Sequence, residues 1–171
     1  MSMPAYVTIK TTTGTNLTAG AGGEESLGNA VQSDHADESI VYAVMANVTI
    51  PRDPLTGQPS GLRRHEPTTL TKVFDKASPQ LWTALCEGTP LEITLKFYRV
   101  AKGGGIEQYY TITWTNAILV DGKGYLPNAL DKDNGQFGNM EDWSFTYSKV
   151  VWNHVAAKVE GSDDWSAPKT A

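Results

Sequence analysis

Leu91-Glu92-Ile93-Thr94-Leu95-Lys96-Phe97-Tyr98 is the stretch whose pattern decides the fold. Leu91, Ile93, Leu95 and Phe97 fall on one side of an extended chain; Glu92, Thr94, Lys96 and Tyr98 fall on the other. Successive strand side chains point to opposite faces, so the alternation predicts a strand with one face in a core. Gly103-Gly104-Gly105 then turns the chain, and Tyr110, Ile112, Trp114, Ile118 and Val120 predict the apolar side of an antiparallel return. Asp121-Gly122 reads as the next turn. Beyond a polar loop at residues 131–139, Trp143, Phe145, Tyr147 and Val151 predict a final strand.

Upstream the same period recurs. Tyr6-Val7-Thr8-Ile9-Lys10 predicts a first strand, and Ser39-Ile40-Val41-Tyr42-Ala43-Val44 a second that continues weakly to Ile50. Pro51 stops it, because proline cannot donate to a strand ladder. Residues 14–38, rich in Gly, Ala, Ser, Asn and acidic residues, read as a loop. Residues 51–64 hold three prolines and two glycines and form a long excursion with little core-forming content. One short helix is written at about 78–88: Ser78 as cap, Pro79 at the first position, Leu81, Ala84 and Leu85 on one face, and Gly88 after the last turn. The prediction is an all-β chain, a single antiparallel barrel or sandwich domain over residues 1–171 with that one helix.

The chain has 171 residues and 18.5 kDa, the size of one domain. A monomer of that mass exposes roughly 8,200 Å². Fourteen basic against nineteen acidic residues give a net charge of −5, so neither nucleic acid nor an anionic membrane is expected as a partner. No apolar run approaches the roughly 18 residues of a membrane helix. Residues 1–10 lack the basic start and apolar stretch of a secretory signal. Cys86 is alone, which excludes an intramolecular disulfide. A soluble, globular protein made in the cytoplasm is expected.

Catalytic patterns are thin. His35, His65 and His154 sit in different segments with no zinc-ligand spacing. Gly23-Glu24-Glu25-Ser26-Leu27-Gly28 places its first glycine one residue too far from the serine for a nucleophile elbow and lacks the preceding apolar strand. Gly20-Ala21-Gly22-Gly23 and Gly103-Gly104-Gly105 lack the Gly-Lys-Ser/Thr ending of a phosphate loop. Glu24-Glu25, Glu141-Asp142 and Asp163-Asp164 read as solvated loop pairs, and Cys86 as a small buried apolar residue. No enzyme, cofactor or metal is expected. Thr111, Thr113 and Thr115 on one strand, with Ser144, Thr146 and Ser148 on another, leave two readings open. They form an ordinary solvated face, or a smooth hydroxyl surface facing a neighbouring subunit or a wide water-filled space.

The middle of the chain is more specific. Gly61-Leu62-Arg63-Arg64-His65-Glu66-Pro67 is followed by Leu70-Thr71-Lys72-Val73-Phe74-Asp75-Lys76-Ala77-Ser78-Pro79-Gln80-Leu81, then Ala84 and Gly88. This resembles the Hcp (haemolysin-coregulated protein) family, whose pattern there is a basic residue and His near a Pro, then Thr-Lys-x-x-Asp-x-x-Ser-Pro-x-Leu-x-x-Ala-x-x-x-Gly. Ser39-Ile40, Ile50-Pro51, Leu95-Lys96-Phe97-Tyr98-Arg99 and Phe145-Thr146-Tyr147-Ser148-Lys149-Val150 extend the resemblance over most of the chain. Residues 14–38 and 131–139 look longer than in compact members.

The resemblance implies a β-barrel subunit of hexameric rings that stack into the inner tube of the bacterial type VI secretion system. The implied partners are further copies of the chain, a contractile sheath and baseplate, a VgrG spike and small secreted effectors carried in the ring. It also implies export from the cytoplasm without a cleaved signal peptide, and the chain's end near Ala171 leaves no room for a fused toxin. A long loop lacking its own core needs external support, so residues 51–64 are expected to reach another subunit. Pro51, Arg52, Pro54, Gly61, Arg63, Arg64, Lys72 and Asp75 are the expected contact residues, the basic ones meeting acidic loops of a neighbour, with Lys72 either crossing in this way or pairing with Asp75. Thr111, Thr113, Thr115, Ser144, Thr146 and Ser148 are the expected lumen residues, since a lumen that releases cargo should avoid large apolar patches. The alternatives are a phage tail-tube subunit, or a monomeric module that stacks a small ligand or carbohydrate on Tyr98, Tyr109 and Trp152.

Overall fold

The computed structural model describes residues 3–31, 33–134 and 138–167. The extreme ends of the expected 1–171 domain and the middle of the 131–139 loop lie outside the described residues. In chain order the elements are β1 (Ala5–Thr11), α1 (Glu24–Leu27), β2 (Ser39–Met45), β3 (Val48–Thr49), β4 (Arg64–His65), β5 (Thr68–Val73), α2 (Ser78–Glu87), β6 (Leu91–Val100), β7 (Ile106–Tyr125), β8 (Met140–Thr146), β9 (Lys149–His154) and β10 (Val159–Asp164).

One antiparallel sheet runs in the order β10-β9-β7-β6-β1-β2-β5-β8, and β8 also pairs with β7. The sheet therefore closes on itself. The 20-residue β7 makes closure possible. Its first half pairs with β6 on one edge and with β9 on the other, and its second half, from Ile118 to Tyr125, pairs with β8. The alternation read from Leu91 holds: Leu91, Ile93 and Leu95 are fully buried, together with Val7 and Ile9 of β1, Trp114 of β7 and Trp143 and Phe145 of β8.

Several local expectations are corrected. Ile118 and Val120 face outward, while Ala117 and Leu119 are buried. The cause is a bulge: Leu91 pairs with Ala117 but Ile93 pairs with Trp114, so β7 carries an extra residue, and Asn116 there has φ 50°. An extra residue reverses the in–out phase of everything after it. Asp121-Gly122 is no turn, because β7 runs on to Tyr125. The expected last strand is two, β8 and β9, with a break at Tyr147-Ser148 and with Val150, not Val151, in the core, and β10 follows them.

Helix α2 ends as predicted, at Gly88 in the left-handed region with φ 64°. It begins differently. Ala77 is the N-cap, and Ser78 is the first helical residue, its hydroxyl turned into the protein. Asp75 Oδ1 accepts from the N–H of Ala77 itself at 2.9 Å, in the turn that leads into the helix, and the N-cap makes no side-chain capping bond. Leu81 and Ala84 face the core, whereas Cys86, expected to be buried, is exposed on the opposite face.

Candidate functional site

Residues 46–64 project from the barrel as an arm. At its base β3 and β4 pair, Val48 with His65 and Thr49 with Arg64. Further out, Arg52 bridges to Pro59, Ser60 N–H donates to the Pro51 carbonyl at 2.8 Å, and Gly57 N–H donates to the Asp53 carbonyl at 2.8 Å. The Asp53 carboxylate accepts from Leu55 N–H at 2.7 Å and closes the tip. The arm is thus held by its own backbone rather than by a core. Pro51, Arg52, Pro54 and Gly61 are all exposed, and Leu55 at the tip is 95% exposed.

The root of the arm is tied to β10. Arg63 forms an ion pair with Asp163, and its guanidinium also donates to the Asp164 carbonyl at 3.0 Å. His65, whose side chain is 2% exposed, meets the same carboxylate through Nε2 at 2.7 Å. A carboxylate only accepts, so that nitrogen carries a proton. Nδ1 meets the Tyr147 hydroxyl at 2.8 Å, and Trp165 leans on the ring at 4.8 Å. The hydrogen bond from Arg63 holds the Asp163 carboxyl below the usual range; burial opposes this and His65 reinforces it. Burial pushes the Tyr147 phenol up. Arg63 is therefore spoken for inside its own subunit, while Arg64, whose side chain pairs with Glu66 at 3.2 Å, remains on the surface. Asp163, read as a solvated loop residue, is a strand residue that local pattern could not connect to partners about a hundred positions away.

Lys72 and Asp75, expected to meet a neighbour, have their side chains enclosed in their own subunit, each 1% exposed. Lys72, 1% exposed, donates to Glu141 Oε1 at 2.6 Å and the Val73 carbonyl at 2.8 Å, and pairs with Asp75 at 2.9 Å. Ser78 Oγ donates to the same Glu141 oxygen at 2.7 Å and accepts from Asp75 N–H at 3.0 Å. A buried charge must be paired, and Lys72 pairs with both carboxylates while pinning the start of α2 to β5 and β8, although Asp75 Oδ2 and Glu141 Oε2 find no hydrogen-bond partner among the described residues. Glu141, expected in solvent, is fully buried.

The hydroxyl faces divide. Thr8 pairs with Thr94, Thr94 with Thr113, Thr113 with Val151, and Val151 with Ser162, giving one row across β1, β6, β7, β9 and β10. The next row is Tyr6, Lys96, Thr111, Asn153 and Glu160, and Thr115 stands opposite Lys149. Thr111, Thr113 and Thr115 thus belong to a five-strand outer face of mostly small polar side chains. Ser144 and Thr146 do not. They stand on β8 opposite Asp121 and Ile118, with Ser144 Oγ bonded to Thr69 Oγ1 at 2.8 Å. Ser148 leaves the strand and donates from Oγ to the Thr115 carbonyl at 3.2 Å.

The remaining chemistry does not converge. His35 stacks on Tyr6, His65 is bound to Asp163, and His154 caps Ala157 N–H at 3.1 Å. Among the described residues no group of three or more His, Cys, Asp or Glu stands where a metal would be held. Tyr98, Tyr109 and Trp152 form no common stacking platform: Tyr98 packs on Tyr6, Tyr109 lies under Arg99, and Trp152 packs on the core.

Comparison with known proteins agrees with this geometry. The family model described as "Type VI secretion system effector, Hcp" matches residues 6–154. The curated "Major exported protein" of Pseudomonas aeruginosa is 45% identical over 169 residues, covering 98% of each chain. A crystal structure of an Hcp protein superposes with a TM-score of 0.91 at 37% identity, covering 95% of this chain and 97% of that one. The secreted protein Hcp3 from Pseudomonas aeruginosa gives a TM-score of 0.80 at 39% identity, with the same coverage of 95% and 97%.

Proposed function

The chain belongs to the Hcp family of the type VI secretion system, and from that premise we propose that it is the repeating subunit of a hexameric ring, stacked into the inner tube. In this reading the tube lies within a contractile sheath on a baseplate, carries a VgrG spike, and leaves the cell without a cleaved signal peptide. The name of the P. aeruginosa relative supports export. The five-strand hydroxyl face supports a lumen, because small hydroxyls offer a passing effector little apolar surface to adhere to.

The observation that carries the reading is the surface the lone subunit leaves uncovered. It exposes 10589 Å², against roughly 8,200 Å² for a monomer of this mass. Large apolar side chains stand on this surface: Leu55 is 95% and Leu130 94% exposed, and Met45, Leu62 and Leu126 are exposed as well. Exposed apolar side chains of this size mark interaction surfaces. The arm supplies the contact between rings, with Pro51, Arg52, Pro54, Gly61 and Arg64 on its surface. Leu55→Asp tests this. It should leave subunit folding and rings intact and abolish stacked rods in negative stain, whereas rods as abundant as in the unaltered protein would refute the arm's role.

A further inference from the structure

The assembly reading leaves residues 14–38 without a role. This segment folds over the outer ends of β1 and β6. Its two limbs press together so closely that a Cβ on Gly22 would stand 2.2 Å from the His35 carbonyl oxygen. Gly20 N–H donates to Asp37 at 2.9 Å, and Glu38 binds the segment to the barrel through Lys96 and, at 3.4 Å, the Thr8 hydroxyl. Glu38 also accepts from His35 Nδ1 at 2.7 Å, which fixes the orientation of that ring.

The consequence is an aromatic corner. The His35 ring lies flat on Tyr6, with centroids 3.6 Å apart and planes 13° from parallel. Tyr98 stands across both, at 5.5 Å and 85° to Tyr6 and 5.1 Å and 73° to His35. A cavity of about 460 Å³ opens against these rings, walled further by Val31 and Ile106 and bearing the Asp34 carboxylate. That volume is within the usual range for small-molecule sites. Among the described residues its walls include no lysine or arginine, and the nearby Lys96 is paired with Glu38.

We propose that this cavity binds a compact organic cation, a quaternary ammonium or guanidinium group, between the Tyr98 ring and the Asp34 carboxylate. Aromatic faces attract cations through their quadrupoles, most strongly where water is partly excluded, and the Asp34 carboxylate on the same wall adds negative charge. Burial pushes the Tyr98 phenol up, so the ring it presents is neutral. The cation is either a free small molecule or a side chain of a passenger protein.

Isothermal titration of the full chain separates the outcomes. The probes are choline chloride, N-acetylarginine amide and the uncharged 3,3-dimethyl-1-butanol. Saturable binding of a cation is expected, with the uncharged isostere about tenfold weaker. Tyr98→Ala should weaken cation binding about tenfold, Asp34→Asn should weaken it severalfold, and Tyr98→Phe should retain it. Choline binding more tightly identifies a free cation as the ligand; the arginine amide binding more tightly identifies a side chain. The proposal is overturned if neither cation saturates, if the isostere binds equally well, or if a folded Tyr98→Ala chain binds unchanged. Should Tyr98→Ala fail to fold, the isostere comparison on the unaltered protein decides.

Discussion

Replacing Lys72 with Met would leave the carboxylates of Glu141 and Asp75 in the interior with no cation between them. Removing one member of a buried ion cluster costs about 3 to 5 kcal/mol when a charge is left uncompensated. Urea unfolding at fixed protein concentration should show that loss for Lys72→Met and a smaller one for Glu141→Gln, whose amide oxygen still accepts from Lys72 and Ser78. Equal losses would contradict this account of the cluster. The Lys72–Asp75 pair is legible in the sequence because the two stand three residues apart. Glu141 is not, since it arrives from another strand 69 positions away. Two further carboxylates set the acid response. Arg63 holds Asp163 below its ordinary value; for Glu38, burial acts upward, but hydrogen bonds from Lys96 and His35 outweigh it. A carboxyl depressed in the folded state stabilises above its unfolded pKa, about 3.9 for Asp and 4.3 for Glu, and that stability is lost as pH falls through the folded value. The Tm should therefore fall below about pH 4, and Asp163→Asn should lower Tm at neutral pH while flattening the acid limb. An unchanged acid limb in that variant would remove Asp163 from the account.

Strand β7 shows where element-level reading succeeds and where it stops. Its first half obeys the alternation that Leu91 sets in β6, so Ile112 and Trp114 are placed correctly by pattern alone. The bulge at Asn116 then inverts the phase, and nothing in Thr115-Asn116-Ala117 announces an extra residue before the pairing with β6 is known. Asp121-Gly122 has turn chemistry, yet Gly122 is there for space. A Cβ would lie 2.7 Å from the Trp143 ring and 3.1 Å from both Leu85 and Trp82 of α2. Gly122→Ala should therefore destabilise by about 1 to 3 kcal/mol, the usual cost of overpacking, by forcing α2 away from the sheet. A Tm equal to that of the unaltered protein would show that the helix yields freely. The arm is legible as an excursion because its prolines and glycines interrupt both periods. Its fastening is not, because Arg63 and His65 find their shared partner only once β10 is folded back beside β9.

For the whole molecule, the central motif and the alternating strands lead to the family, and the family to the proposed ring. The surfaces proposed to assemble it are far less legible. Lys72 and Asp75, part of the family motif, hold the subunit together internally, and only three of the six expected hydroxyl residues share the five-strand face. A motif can identify a family through residues that serve its fold, whereas the proposed assembly surfaces are what the closed barrel leaves outside: the arm tip at Leu55, the Leu130 loop and the threonine rows. Multi-angle light scattering of the purified chain, with negative-stain imaging of the same fraction, tests the central claim most directly. The predicted result is the mass of a hexamer with ring-shaped views. A monomer that persists at high protein concentration would contradict it.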